Sequence, residues 1–361
     1  MAGALTACGG NPGRAGHRLA LAAGRIVEGC REEIAAMLGE PDASRVAFAQ
    51  NATDALNMAI HGTLRTGDHV ITTLIEHNSV LRPLSELSRS GAITLTIVPP
   101  DAQGRIAAAD VERAMTSRTR LVAMTHMSNV LGLVQDVAAV GAVCARHGAM
   151  LLVDCAQTAG HLPLTPIAWG ASMLAMPGHK GLLGPHGTGA LWVKKGVQLA
   201  PMRQGGTGSA SESMFQPRMM PDVLESGTLN LPGIAGLRAG MKEALCRRQE
   251  AHARAAQLCG YIRGELLGMP GVRVYTQAGA PMLTFNVEGI ASQEAAAVLD
   301  TQEIAVRGGL HCAPGVHRLL GTLESGAVRV SPGLYTTQAD AQALVSAVQK
   351  IAGQGGRPAA P

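Results

Sequence analysis

Seven short apolar runs punctuate the first 193 residues, at 46–48, 69–74, 93–98, 121–125, 151–154, 173–176 and 190–193. Between the first six, apolar residues return at helical spacing, as over 137–146, and strands alternating with helices predict a mostly parallel sheet. The seventh follows the Gly-rich GHKGLLGPHGTG with no room for a crossover helix, so it is expected to enter the sheet antiparallel. Beyond a Gly-, Ser- and Met-rich loop over 205–220, SGTLNLPGIAGLRAGMKEAL predicts a long connecting helix starting near Pro232. The pattern then changes. Runs at 272–275, 282–287, 304–307 and 327–330 alternate with helices at 293–300 and 339–351, which predicts a smaller α+β domain, and GQGGRPAAP reads as a disordered tail. The expected organisation is a leader over 1–13, a large cofactor-binding domain over 14–236 with a seven-stranded sheet, a small domain over 237–352 and a tail over 353–361.

A length of 361 residues is enough for two lobes sharing one architecture. Hydrophobic residues make up 47% of the chain but aromatics only 2%, so packing rests on Ala, Leu and Val and on close helix approach. The formal charge of +4 is scattered, with no basic run interleaved with aromatics, which argues against a nucleic-acid partner. Seven cysteines without a C-x-x-C pair argue against a disulfide framework or a structural zinc site, and a reducing cytoplasm is the simplest home. No apolar run approaches the ~20 residues that span a bilayer, and MAGALTACGG lacks the basic start of a signal peptide. Neither G-x-G-x-x-G after the first strand nor a P-loop is present, so dinucleotide and nucleoside triphosphate readings lack their motifs.

In an open parallel sheet, ligands bind beyond the carboxyl ends of the strands. Those positions hold Asn51, Ala52 and Thr53, then Glu76 and His77, His126, Ser128 and Asn129, Asp154 and Gln157, and finally His179 and Lys180. Each type has a use on a pyridoxal ring and an ordinary alternative. Asp154 would keep the pyridine nitrogen protonated, making the ring an electron sink, or would merely cap a helix. Gln157 would donate to the phenolic oxygen or lie on the surface. Thr53, opening a helix, would help form an anion site or a plain N-terminal motif. His77 would stack on the ring or be a satisfied polar residue. Lys180, between glycines in GHKG, would form an imine or stay a solvated charge; its pairing with Asp154 at the end of the preceding strand favours the imine. Cys312, beside His311 in the loop RGGLHCAPG, would be a nucleophile or a buried structural thiol. Arg307 and Arg329, each read as ending a short strand, suit a phosphate and a carboxylate, or surface ion pairs.

These segments together resemble the cysteine desulfurase and selenocysteine lyase branch of class V aminotransferases. The resemblance runs from GGNPGRAGHRLA through QNATDALN, EHNSVLRPL, THMSNVLG, LLVDCAQTAGHLPL, MPGHKGLLGPHGTG and SGTLNLPGIAGL to RGGLHCAP and VRVSPGLYTT, about residues 9–350. It implies the α/β fold type I of pyridoxal 5'-phosphate (PLP) enzymes and a homodimer with active sites at the subunit interface. It further implies Lys180 as the Schiff-base residue, Asp154 and Gln157 on the ring, His77 stacked above it, and Ala52, Thr53 and His179 near the phosphate. Gly227 and Thr228 would reach the partner subunit's phosphate, and Asn129, Arg307 and Arg329 would hold the substrate. Cys312 would take the sulfur of L-cysteine as a persulfide, releasing alanine, with a further protein as the final acceptor; no metal is implied. The compact loop around Cys312 is similar to the second group of these enzymes. Two departures stand out: the chain starts almost at GGNPGR, ahead of which members usually carry a strand and a D-N-A-A-T-like motif, and Pro177 replaces a Ser or Thr that often contacts the phosphate. The competing expectations are a selenocysteine lyase, another class V aminotransferase or epimerase, and a shortened paralogue without catalysis.

Overall fold

The computed structural model describes residues 1–12 and 16–355. Two helices lead in, α1 (Ala2–Ala7) and α2 (Arg18–Leu38), the second capped by His17 and stopped by Gly39 in the left-handed region (φ 70°). The large sheet then builds from β1 (Val46–Ala49), β2 (His69–Thr73), β3 (Thr94–Val98), β4 (Thr119–Thr125), β5 (Met150–Asp154), β6 (Met173–Pro177) and β7 (Gly189–Val193). Its strand order is β1-β7-β6-β5-β4-β2-β3, parallel except for β7, which runs antiparallel to both neighbours. The crossovers carry α3 (Ala52–Thr63), α4 (Asn78–Arg89), α5 (Ala108–Ala114) and α6 (Val137–His147).

Because both faces of the central strands are covered, they appear in the sequence as continuous apolar runs rather than as alternations. Ile71, Val122, Val153 and Leu174 feed one core and Val70, Leu121, Leu152 and Met173 the other. The edge strand β3 is largely open to solvent and reads as polar alternation, TLTIV. In the first core, Arg31 of α2 is buried, makes a two-pronged ion pair with Glu225 and lies over the Phe48 ring.

The chain leaves the sheet through α7 (Leu231–Cys246), at the place of the expected connecting helix, and then α8 (Arg248–Leu267), set off from it at Arg247. Helix α7 spans the expected boundary at 236/237, and its Leu237 and Met241 belong to the core of the large sheet. The small sheet has the order β10-β11-β9-β8, antiparallel throughout, from β8 (Val272–Val274), β9 (Leu283–Val287), β10 (Arg307–Gly309) and β11 (Ala327–Val330). Helices α9 (Ser292–Asp300), α10 (Pro314–Leu320) and α11 (Gln338–Gly355) complete it. Leu258, Ile262 and Leu266 of α8 pack on Phe285, Val328, Leu344 and Val348.

The apolar residues at 304–306 form no strand. Ile304 and Val306 pack against the small core without a ladder partner, so burial without pairing produced a strand-like pattern. Arg307 therefore opens β10 instead of closing a strand, and it stands directly opposite Arg329. At the end of the chain α11 continues through Gly355, three residues into the segment expected to be a disordered tail; 356–361 lie outside the described residues, as do Gly13, Arg14 and Ala15 of the GGNPGRAGH motif. Among the described residues no helix is long and apolar enough to cross a membrane, and no group of three potential metal ligands occurs.

Candidate active site

Strands β5 and β6 deliver Asp154 and Lys180 to one rim. Asp154 is the last residue of β5, and Lys180 lies three residues beyond β6 in the turn SMLAMPGHKG. The loops after the two strands touch backbone to backbone. A Cβ at Gly160 (φ 84°) would collide with the Gly181 carbonyl and one at Gly181 with the Ala159 carbonyl, so glycine at both positions sets where Lys180 emerges.

A cavity of about 300 Å3 opens there, lined by Asn51, Ala52, Thr53, His77, Ser79, Asn129, Asp154, Gln157, Pro177, His179, Lys180 and Arg307 among others. A second, also about 300 Å3, shares Gln157 and Lys180 and is walled by His161, Arg329 and residues 331–334. Lys180 stands between the two. Lys180 is exposed by area yet borders both cavities, and desolvation lowers its pKa; Arg329 and Arg307 add to the effect and Asp154 opposes it.

Asn51 caps α3 by accepting the Asp54 amide (2.9 Å), which leaves the Ala52 and Thr53 amides without an intrahelical partner at the positive end of the helix. Thr53 is the second residue of that helix, and its hydroxyl pairs with Ser79 Oγ (2.7 Å). Ser79 Oγ also meets His77 Nδ1 (2.8 Å), while the Ser79 amide donates to the same nitrogen (3.0 Å), making His77 the cap of α4. Burial and the positive charges of Lys180, Arg307, Arg82 and Arg329 push His77 down to about 4, so its ring is neutral and Nδ1 stays an acceptor. Nothing in local sequence singled out Ser79; the bridge becomes visible only once α3, crossing the sheet from β1, lies beside α4.

Asp154 is buried, accepts the Ala156 amide (2.8 Å), and has its pKa raised by desolvation. A buried carboxylate with so few donors is suited to a cationic partner. Glu76 lies close enough to feel the charge of Asp154. It accepts from Thr73 Oγ1 (2.5 Å), its second oxygen has no partner, and burial pushes it up to about 8. Glu76 is therefore neutral near pH 7, whereas in the unfolded chain it ionises near 4.5. The stability it contributes is full below pH 4.5 and is lost as pH rises through 8. In thermal unfolding at pH 5 and pH 9, Glu76→Gln is expected to flatten the loss of Tm, exceeding wild type by several °C at pH 9; equal slopes would mean that Glu76 ionises normally.

The remaining rim residues divide. Asn129 is buried, donates through Nδ2 to the His311 carbonyl (2.6 Å) and accepts on its own carbonyl from Arg329 Nη1 (2.9 Å). Arg329 is lowered to about 10 by burial and by Arg307, and its Nε has no partner. Cys312 Sγ lies 3.8 Å from Arg307 Nη2. By contrast, His126 is buried against Trp169 and pairs with Thr158, and Ser128 accepts the amides of its own turn; neither lines the cavity. Gly227 and Thr228 are exposed and also lie apart from it; Thr228 borders a separate hollow beside Gln50, Arg203 and Asn230.

The set fits the cofactor that the sequence resemblance implies. The volume lies at the lower end of the range for small-ligand pockets. A helix N-terminus with free amides suits a phosphate, the buried Asp154 suits a pyridinium, and the unpartnered buried Nδ1 of His179 leaves one more polar group available. Pro177, at the last position of β6, offers no hydroxyl on that wall.

The family model described as Aminotransferase class-V matches residues 1–344. A probable cysteine desulfurase of Methanothermobacter thermautotrophicus is 35% identical over 96% of this chain and 88% of its own length, and one of Halalkalibacterium halodurans is 32% identical over 94% and 86%. Among solved structures, the apo cysteine desulfurase of Thermococcus onnurineus superposes with a TM-score of 0.91 at 28% identity, over 98% of this chain and 90% of that one. The cysteine desulfurase CsdA of Escherichia coli, in an S-sulfonic acid form, gives 0.85 at 28% identity over 93% and 86%.

Proposed function

Because the chain belongs to the class V aminotransferase family, whose members depend on PLP, we propose that it is a cysteine desulfurase that converts L-cysteine to L-alanine and collects the sulfur as a persulfide on Cys312. The observation that carries this reading is the position of the thiol: Cys312 Sγ stands beside Arg307, whose guanidinium lines the same cavity as Lys180 and Asp154.

Asp154 and Gln157 would hold the cofactor ring, His77 would lie against it, and the N-terminus of α3 with Thr53, Ser79 and His179 would take the phosphate. Bound there, the cofactor supplies an electron sink for carbanion chemistry at the substrate. The other parts belong to the chain. Lys180, with its lowered pKa, is the base that removes a proton from the substrate and the acid that returns one. Arg329, its Nε unpaired, receives the substrate carboxylate, and Asn129 orients it through its carbonyl. The Cys312 thiolate forms an S–S bond to the substrate sulfur as the carbon–sulfur bond breaks. The electron pair of that bond leaves with the carbon, which is protonated to alanine.

Exposure of Gly227 and Thr228 away from the Lys180 cavity supports a homodimer in which each subunit completes its partner's phosphate site. The neighbouring loop presents Met214, Phe215 and Met219 at 96%, 83% and 78% exposure, an apolar cluster suited to a subunit contact. A separate protein in the cytoplasm would then remove the persulfide sulfur.

Reconstituted with PLP and supplied with L-cysteine and a thiol reductant, the protein is expected to release alanine and sulfide in equal amounts. Cofactor uptake without alanine would overturn the assignment while leaving the family intact.

A further inference from the structure

His311 and Cys312 are consecutive non-glycine residues in the left-handed region, at φ 52° and 57°. Such a pair is strained and persists only where the surroundings over-determine it. Two of the restraints are backbone carbonyls: His311 O accepts from Asn129 Nδ2 (2.6 Å) and Cys312 O from the Asn78 amide (2.7 Å). The third lies beneath the loop and is made of side chains.

His311 Nε2 is 3.1 Å from the Arg307 carbonyl, His311 Nδ1 is 3.2 Å from His317 Nε2, and His317 Nδ1 is 2.8 Å from Thr322 Oγ1. All three side chains are buried, with His317 wholly so, and the two rings lie edge to edge, 20° from parallel with centroids 5.4 Å apart. The donors can be assigned from one end. A carbonyl only accepts, so His311 Nε2 carries the hydrogen and Nδ1 presents a lone pair. His317 Nε2 must then donate, which leaves His317 Nδ1 to accept the Thr322 hydroxyl. Protonating His311 would set its Nδ1–H head to head with the His317 Nε2–H. Burial and the positive charges of Arg307 and Arg329 work in the same direction, holding His311 down to about 4, and burial lowers His317 as well.

We propose that Thr322, His317 and His311 form a one-way hydrogen-bond chain, Thr322→His317→His311→Arg307 carbonyl, that positions the Cys312 thiol to receive sulfur. The chain ends on Arg307, whose side chain borders Sγ at 3.8 Å, so it registers the thiol and its neighbouring cation through one residue. These are positioning residues: none of the three lines the Lys180 cavity. The proposal rests on Cys312 being the sulfur acceptor.

The test uses the holoenzyme in single turnover with L-cysteine, following the first spectral change of the cofactor and, separately, persulfide on Cys312. Thr322→Val removes the hydroxyl at nearly constant shape. It is expected to slow persulfide formation by about tenfold or more while the first spectral change keeps its wild-type rate, and Thr322→Ser is expected to restore transfer. Ring 15N shifts should show His317 Nδ1 as an acceptor in wild type and in Thr322→Ser, and no longer so in Thr322→Val. Wild-type transfer by Thr322→Val, no rescue by Ser, or equal slowing of both steps would overturn the chain. If Thr322→Val does not fold, His317→Gln, which keeps a donor toward His311, should stay within about threefold of wild type and His317→Leu should fall about tenfold; equal rates for the two would overturn it. Cys312→Ala run alongside separates the two levels: full sulfide release by that variant removes the acceptor reading and the chain with it, whereas its inactivity together with wild-type transfer by Thr322→Val removes the chain alone.

Discussion

Lys180→Ala is expected to lower alanine formation by about 10^4-fold, because it removes the base and the acid from both sides of the reaction at once. Of the other titratable groups lining the cavity, His77 is held as the neutral cap of α4 and Asp154 accepts the Ala156 amide, which leaves His179, with its unpartnered Nδ1, as the group that sets the residual rate. The substitution also removes the visible absorbance of lysine-bound cofactor without emptying the pocket, since the α3 terminus, Asp154 and Gln157 remain. Retained absorbance with lost turnover would place the covalent attachment elsewhere. A companion measurement follows from the charges that depress Lys180: Arg307→Gln removes one of them, so the acid limb of kcat, which reports the enzyme with substrate bound, should move to higher pH. An unmoved limb would mean that Arg307 does not contribute to this pKa.

Cys312→Ala is expected to reduce sulfide release from L-cysteine by about a thousandfold while leaving cofactor uptake and the first spectral response to substrate intact. The thiol borders Arg307 rather than the Asp154 end of the cavity, so its loss should not disturb ring binding. The same variant distinguishes sulfur transfer from related chemistry. A selenocysteine lyase or an aminotransferase carried on this scaffold would keep its rate, because neither needs a nucleophile at that position.

Much of this site could be read in advance because of how parallel sheets are built. Strands buried on both faces appear as apolar runs, and the residue following each run falls on one rim, which is why Asp154, Lys180, Asn129 and His77 were identifiable together. The antiparallel entry of β7 followed from a missing crossover. What stayed hidden depends on contacts between elements distant in sequence. Ser79 matters because α3 and α4 lie side by side and Glu76 because its neutral state comes from burial near Asp154; Thr322 is close to His317 in sequence, but only the turn after α10, at Gly321, brings its hydroxyl to that ring. The misplacement of β10 has a simpler cause: Ile304 and Val306 are apolar to fill the small core, and hydropathy alone does not distinguish filling from pairing.

The register of the small sheet sets Arg307 against Arg329, two like charges on opposite strands, an arrangement that costs a few tenths to about 1 kcal/mol until something negative lies between them. Under the proposed function, a ligand with a carboxylate would relieve that repulsion on arrival and a ligand without one would not. Discrimination against decarboxylated thiols such as cysteamine would thus be built into the resting protein as idle repulsion, so that selectivity for amino acids over amines comes from the sheet as much as from any contact made to the substrate.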